Sequence, residues 1–274
     1  MNWFTAFECF KKKHINRFDY DWDILYNQLK SDPNNDENKI KYIINLLGNK
    51  HSSYTVSKNC NSDIKDIDLS IDGNKLILKY YGFWNGDAEK YIHNFFEKFR
   101  QIDNEHNIDE IVIDLKENSG GDGYIMLLTL APIFNPITII SHISNLINVN
   151  SYEHIPVQFE YTSEYYIMDK FKYEFFEFKN RKNIIKINVL LSETTISAGE
   201  WMAISLIALS QKYNISYHGN TTGVYNSVNY GHKVDDSHLN VTCGYFSDYR
   251  KRIYTGPLKS TELNSLCKYI YENN

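Results

Sequence analysis

Residues 187–209 read INVLLSETTISAGEWMAISLIAL. Ile187 to Leu191 form a short apolar run rich in residues that favour strands, Ser192 to Thr194 break it, and Ala198 to Leu209 continue as a long apolar helix pattern. A serine between such a strand and such a helix, here Ser197, is held above a core beside the unpaired N–H groups of the helix's first turn. That position suits a nucleophile. It equally suits a helix cap, because Ser197 is followed three residues later by Glu200, the spacing of a capping box. Residue types at this junction leave both readings open.

A second junction of the same kind lies upstream. IDEIVIDL (108–115) has the continuous apolar character of a strand buried on both faces and runs through KENSGGDG (116–123) into the apolar helix pattern YIMLLTLAPIF (124–134). Ahead of it, Lys75 to Tyr80 read as a strand ended by Gly82. Asp87 to Ile102 place Ala88, Tyr91, Ile92, Phe95, Phe96, Phe99 and Ile102 at helical spacing. Strand, helix, strand, glycine turn and helix in succession predict an α/β sheet with parallel pairs. Residues 137–183, rich in Tyr and Phe, suit strands or a lid. ISYHGNTTGVYNSVNYG (215–231) reads as a short strand and a polar glycine-rich loop, HLNVTCGYF (238–246) as a strand, and Ser260 to Tyr271 as a closing helix with Leu263, Leu266, Cys267 and Ile270 on one face. At the other end, Trp22, Leu25, Tyr26 and Leu29, and then Ile40, Ile43, Ile44 and Leu47, mark two helices. Gly48 stops the second, and NKHSSYTV (49–56) puts His51 in the loop before a strand.

Composition narrows the function classes. A chain of 274 residues with 42% hydrophobic content can hold one large core with a small appendage. A net charge of −5 without a basic stripe gives no footprint for nucleic acid, Lys11 to Lys13 being a short solvated run. Cys9, Cys60, Cys243 and Cys267 are widely spaced and form no metal or redox motif, so free thiols are expected. No apolar run reaches the ~20 residues of a membrane span. The first residues lack a signal-peptide layout, so a cytoplasmic protein is expected, or an exported one if a leader preceded this sequence. The dinucleotide fingerprint GxGxxG and the phosphate-loop pattern GxxxxGK[ST] are both missing. The Gly120-Gly121 pair lets backbone N–H groups approach an anion, although a plain tight turn would look the same. Among nine histidines, His51 has the strongest case, since it sits in a polar loop and is followed by Ser52 and Ser53.

Taken together, LGNKHSSY, IVIDLKENSGGDG and VLLSETTISAGEW resemble, in order and spacing, the His-Ser loop, the glycine turn and the nucleophile turn of the S41 peptidases, the C-terminal-processing and tricorn-core-like serine proteases. The resemblance covers roughly residues 40 to 245. It implies a crotonase-like (ClpP/crotonase-type) α/β spiral core with mixed sheets and flanking helices over 51–274, behind a helical N-terminal unit over 1–50. The interval from His51 to Gly82 leaves no room for a PDZ module. It further implies Ser197 as nucleophile and an oxyanion hole from the N–H of Ala198 with that of Gly121 or Gly120. The substrate would be a peptide or protein, and no metal or cofactor is called for.

Two departures matter. Many members carry a catalytic lysine in a G-x-x-T-x-G-K loop, whereas Gly219 to Val224 put valine there, so the base passes to His51 as in the tricorn-like branch; a neutral imidazole of pKa ~6.5 suits that task. The glutamate that supports histidine in that branch is missing from RIYTGPLKS (252–260). Ser52 stands as the neighbouring serine, and Asp248, Asp235 and Asp236 as candidate acids. The alternatives are a catalytically silent relative that binds peptides or a partner through the same cleft, and a crotonase-like acyl-CoA enzyme using the Gly120-Gly121 N–H groups.

Overall fold

The computed structural model describes residues 1–48, 51–56, 67–83, 87–135, 137–148, 151–234 and 236–274. Cys60 and Asp235 lie outside the described residues. In chain order the elements are α1 (Trp3–Lys13), α2 (Trp22–Ser31), α3 (Asp36–Leu47), β1 (Ser53–Val56), β2 (Asp68–Asp72), β3 (Lys75–Lys79), α4 (Ala88–Glu105), β4 (Glu110–Asp114), α5 (Gly123–Leu128), α6 (Ala131–Phe134), β5 (Ile139–Asn148), β6 (Ser151–Gln158), β7 (Glu160–Tyr161), β8 (Tyr165–Met168), β9 (Phe171–Glu174), β10 (Lys186–Leu190), α7 (Ala198–Leu206), β11 (Asn214–His218), β12 (Ser227–Val234), β13 (Ser237–Asp248) and α8 (Ser260–Glu272). This is a mixed α/β fold with several sheets. Its contacts divide the chain into two compact units, one of Met1–Asn61, Ile143–Ile155 and Ser227–Tyr245, the other of Ser62–His142, Pro156–Asn226 and Phe246–Asn274. No helix among the described residues is long and apolar enough to cross a membrane.

In the first unit, α1, α2 and α3 bury Ala6, Phe7, Phe10, Trp22, Leu25, Leu29, Ile40, Ile43 and Leu47 in one cluster with Leu239 and Val241 of β13. Each helix starts on a side-chain cap, from Asn2, Asp21 and Asn35 respectively. Gly48 ends α3 in the left-handed conformation at φ +66°, which relieves the last-turn carbonyls without a Cβ penalty. The strands most concentrated here form a sheet of order β1-β13-β5-β6, with β12 also on β13. Residues 227–231, expected within a loop, therefore belong to a strand, Ser227–Val234; their polar sequence hid the alternation.

The second unit is built on a sheet of order β11-β10-β4-β3-β2. β3, β4, β10 and β11 are mutually parallel and only β2 is antiparallel, as the strand and helix succession predicts. One face carries Leu76, Leu78, Ile111, Ile113, Ile187, Val189, Ile215 and Tyr217, all buried. The other face does not join the core, which corrects the expectation that β4 is buried on both sides: Val112 is only half-buried, and it lies between Ile77 and Asn188. A cross-strand row on this face runs Asp72, Lys75, Glu110, Lys186 and Asn214, and alternating charge makes neighbours attract. α8 packs on edge strand β11, where Asn264 makes a two-point pair with Tyr217, accepting its N–H at 2.6 Å and donating to its carbonyl at 2.8 Å. A three-stranded sheet of order β7-β8-β9 stacks Tyr173 on Phe96 of α4, with ring centres 4.4 Å apart.

Candidate active site

The turn between β10 and α7 is held from two sides. Thr195, fully buried, accepts the Ser192 N–H at 3.0 Å and donates to the Leu115 carbonyl at 2.7 Å, which fastens the turn to the end of β4. Ile196 N–H donates to the Asn118 carbonyl at 3.0 Å. Between these anchors and the helix, Ser197 adopts φ +53°, ψ −115°, a region that side chains other than glycine avoid. Holding a serine there costs about 1–3 kcal/mol, and such strain gathers at functional sites. The capping box that the spacing predicts is present, with Ser197 N–H donating to Glu200 Oε2 at 3.2 Å. The Ser197 side chain is half-buried.

The glycine turn lies beside it in the same unit. Asn118, fully buried, accepts the Gly120 N–H on Oδ1 at 3.0 Å and offers its backbone carbonyl to Ile196, so one residue joins the two turns. Gly121 has φ +112°, and a Cβ there would stand 1.9 Å from the Phe83 carbonyl oxygen; no other residue type fits. Asp122 then starts α5 by accepting the N–H of Tyr124 at 3.0 Å. The N–H groups of Gly121 at this turn and of Ala198 at the first position of α7 have no hydrogen-bond partner among the described residues. Gly120 differs, its N–H being committed to Asn118. Residues 120 and 121, indistinguishable by sequence, are separated by this bond.

Behind the serine turn lies Glu200, with no exposed surface. Its Oε2 accepts the N–H of Ser197 and, at 2.8 Å, that of Tyr225, and its Oε1 accepts the Thr222 hydroxyl at 2.6 Å. Burial pushes its carboxyl up to about 7, against the pull of these three hydrogen bonds. Val224, in the loop carrying Thr222 and Tyr225, is 53% exposed.

His51 belongs to the first unit. It is half-buried, and burial lowers its pKa, with hydrogen bonding to Ser227 acting in the opposite sense. Its Nδ1 lies 2.9 Å from Ser227 Oγ, and Asn229 donates to its backbone carbonyl at 3.2 Å. Ser52, the sequence candidate beside the ring, is buried and bonded instead to Thr242, whose N–H it accepts at 3.1 Å. Ser227 is 176 residues away in the chain, and no local motif announces it.

Asp248, in the second unit, is fully buried in its own turn. It accepts the N–H groups of Arg250 at 2.9 Å and Arg252 at 3.0 Å on Oδ1 and the Tyr254 hydroxyl at 3.2 Å on Oδ2. These bonds close the turn after β13. Asp236 is exposed. Among the described residues no group of three or more His, Cys, Asp or Glu side chains could hold a metal ion.

The model of peptidase family S41 matches residues 76–253. The Nisin-resistance protein of Lactococcus lactis subsp. lactis is 26% identical over 219 residues, 77% of this chain and 64% of that protein, so the chain spans less than two thirds of this curated relative. Among solved structures, a lipoprotein from Streptococcus agalactiae superposes with a TM-score of 0.68 at 18% identity, over 97% of this chain and 94% of that one. The photosystem II D1 C-terminal processing protease superposes with a TM-score of 0.59 at 10% identity, over 98% and 96% of the two chains. At those identities the structural matches speak to the fold.

Proposed function

The chain belongs to peptidase family S41, and from that premise we propose that it is a serine-type peptidase with Ser197 as nucleophile and His51 as general base. Membership of the family supports peptidase activity and a peptide or protein substrate, which with the assignment of roles are our reading. The observation that carries it is the backbone of Ser197, strained at φ +53° on a strand-to-helix turn and flanked by the unpartnered N–H groups of Ala198 and Gly121. Ser197 Oγ adds to the scissile carbonyl carbon as its proton passes to His51 Nε2. The carbonyl oxygen, now negative, is received by the Ala198 and Gly121 N–H groups, the kind of contact whose single loss costs about 10²–10³ in turnover. Collapse of the adduct expels the amine, which takes the proton from His51 and leaves an acyl-serine. Water, deprotonated by the same imidazole, releases the acid and restores Ser197.

In our reading Ser227 supports the imidazole: by accepting Nδ1–H on its hydroxyl it holds the tautomer that carries its lone pair on Nε2. Lowering of the His51 pKa by burial keeps that ring neutral at pH 7. We read the fold as the crotonase-type spiral, supported by the parallel units β3-α4-β4 and β10-α7-β11. In our division, residues 51–274 carry the catalytic parts and 1–50 none. The name of the Lactococcus relative makes nisin resistance a role to test by challenging cells that express the chain.

Treatment with a fluorophosphonate followed by peptide mapping tests the mechanism. An adduct on Ser197 is expected, lost in Ser197→Ala and slowed in His51→Gln; absence of the adduct in the parent refutes it. A silent peptide-binding relative is the second reading, favoured by the hydroxyl in place of a carboxylate at His51 Nδ1. It predicts peptide binding that Ser197→Ala leaves unchanged.

A further inference from the structure

Each bond of the Glu200 carboxyl ends on a segment that acyl transfer at Ser197 needs fixed. The Ser197 N–H belongs to the peptide plane that sets the serine's positive φ, and one plane further on stands the Ala198 N–H. On the other side, Tyr225 N–H and the Thr222 hydroxyl fix the loop 219–226. That loop lies tight against the serine turn: Gly223 N–H donates to the Thr195 carbonyl at 3.0 Å, and a Cβ on Gly223 would stand 2.3 Å from Ile196 Cγ2. Thr222 Oγ1 also accepts the Leu258 N–H at 2.9 Å, tying the loop to the approach to α8. A Ser–His mechanism has no use for a lysine from this loop, yet the loop is still braced against the nucleophile, with a buried carboxyl as the brace.

We propose, resting on the reading of Ser197 as nucleophile, that Glu200 is a positioning residue whose carboxyl clamps the Ser197 turn to loop 222–225 and thereby aims Ser197 Oγ and Ala198 N–H. It touches neither substrate nor reacting atoms. The clamp works equally with a neutral group: when Oε1 carries a proton it donates to Thr222 Oγ1, and Thr222 turns its own hydroxyl to the Gly223 carbonyl, 3.2 Å away. A glutamine reproduces that pattern, with its amide oxygen on the two N–H groups and its NH2 on Thr222. No neighbouring charge takes part, since burial and the three hydrogen bonds are what act on this carboxyl.

The test uses the full chain and the rate of fluorophosphonate labelling at Ser197, with folding checked by circular dichroism. Glu200→Ala is expected to slow labelling about 100-fold, the scale of an ångström's misplacement of a reacting group. Glu200→Gln restores most of that rate. Thr222→Val, which deletes one bond while keeping shape, gives a smaller loss and serves if the alanine variant does not fold. Amide exchange provides a readout independent of labelling: the Ser197 and Tyr225 N–H groups exchange faster in Glu200→Ala and stay protected in Glu200→Gln. A folded Glu200→Ala variant that labels as fast as the parent overturns the clamp, as do unaltered exchange at both amides, a Thr222→Val variant of parental rate, or failure of glutamine to rescue. A parent that takes no label at Ser197 overturns the peptidase reading instead, and exchange alone then decides the clamp.

Discussion

Replacement of Glu200 by glutamine changes how stability responds to pH, and the size of the change follows from the structure. In the unfolded chain this carboxyl titrates at 4.5; in the fold, burial raises it to about 7. Below pH 4.5 both states hold the proton and its stabilising contribution is complete. Between pH 4.5 and about 7 the unfolded chain has released the proton while the fold retains it, so raising the pH withdraws that contribution, and above about 7 it is gone. At about 1.4 kcal/mol per pH unit the gap amounts to about 3 kcal/mol. Glutamine keeps the hydrogen bonds and has nothing to titrate. The difference in unfolding free energy, variant minus parent, should therefore rise by about 3 kcal/mol between pH 4.5 and pH 8. Urea unfolding of both proteins across that range, followed by the fluorescence of Trp201, which packs in the same unit, measures it. Parallel stability curves for parent and variant would show that Glu200 keeps its ordinary ionisation in the fold, and the argument from burial would fail.

Other expectations follow. His14 is fully buried, its Nε2 has no partner, and burial lowers its pKa to about 4; as pH falls from 6.5 towards 4 the unfolded chain takes up a proton that the fold refuses, so stability drops by about 3 kcal/mol. His14→Asn, which keeps an acceptor for the Asn16 N–H, should flatten that part of the curve in urea unfolding, and an unchanged slope would contradict it. Gly121→Ala must combine a positive φ with a Cβ 1.9 Å from the Phe83 carbonyl oxygen, so a loss of more than about 2 kcal/mol is expected in thermal unfolding. For activity, the acid limb set by His51 should fall below pH 6.5, because burial depresses its pKa; a limb above that value in the pH profile of labelling would mean that another group is titrating.

What the sequence disclosed and what it concealed separate along a physical line. α4 could be read because seven apolar residues recur at helical spacing, and β10 with α7 because an apolar strand, a polar break and an apolar helix follow within one short stretch. Local periodicity carries such elements. Asn118, Thr195, Thr222 and Ser227 escaped notice because each works through a partner far along the chain: Asn118 on Ile196, Thr195 on Leu115, Thr222 on Glu200, Ser227 on His51. A polar residue in a loop carries no sign of the group it will meet. The strain at Ser197 was equally hidden, since a serine N-cap in extended backbone and a serine at φ +53° are spelled the same way. β4 misled for a different reason: Val112, between Ile111 and Ile113, reads as core, and only the cross-strand row through Lys75, Glu110 and Lys186 reveals the face on which it lies.

Asn264 has a bearing on the fate of the protein at high concentration. β11 is the edge of a parallel sheet, and an open edge is a template on which another chain's strand can grow. By occupying both the N–H and the carbonyl of Tyr217, the Asn264 amide imitates the next strand and leaves a newcomer no place to start its ladder there. α8 thus acts as a stopper against fibrous growth from this side of the sheet. Loss of that one amide, as in Asn264→Leu, should be felt less in the folding of the monomer than in its tendency to aggregate on storage.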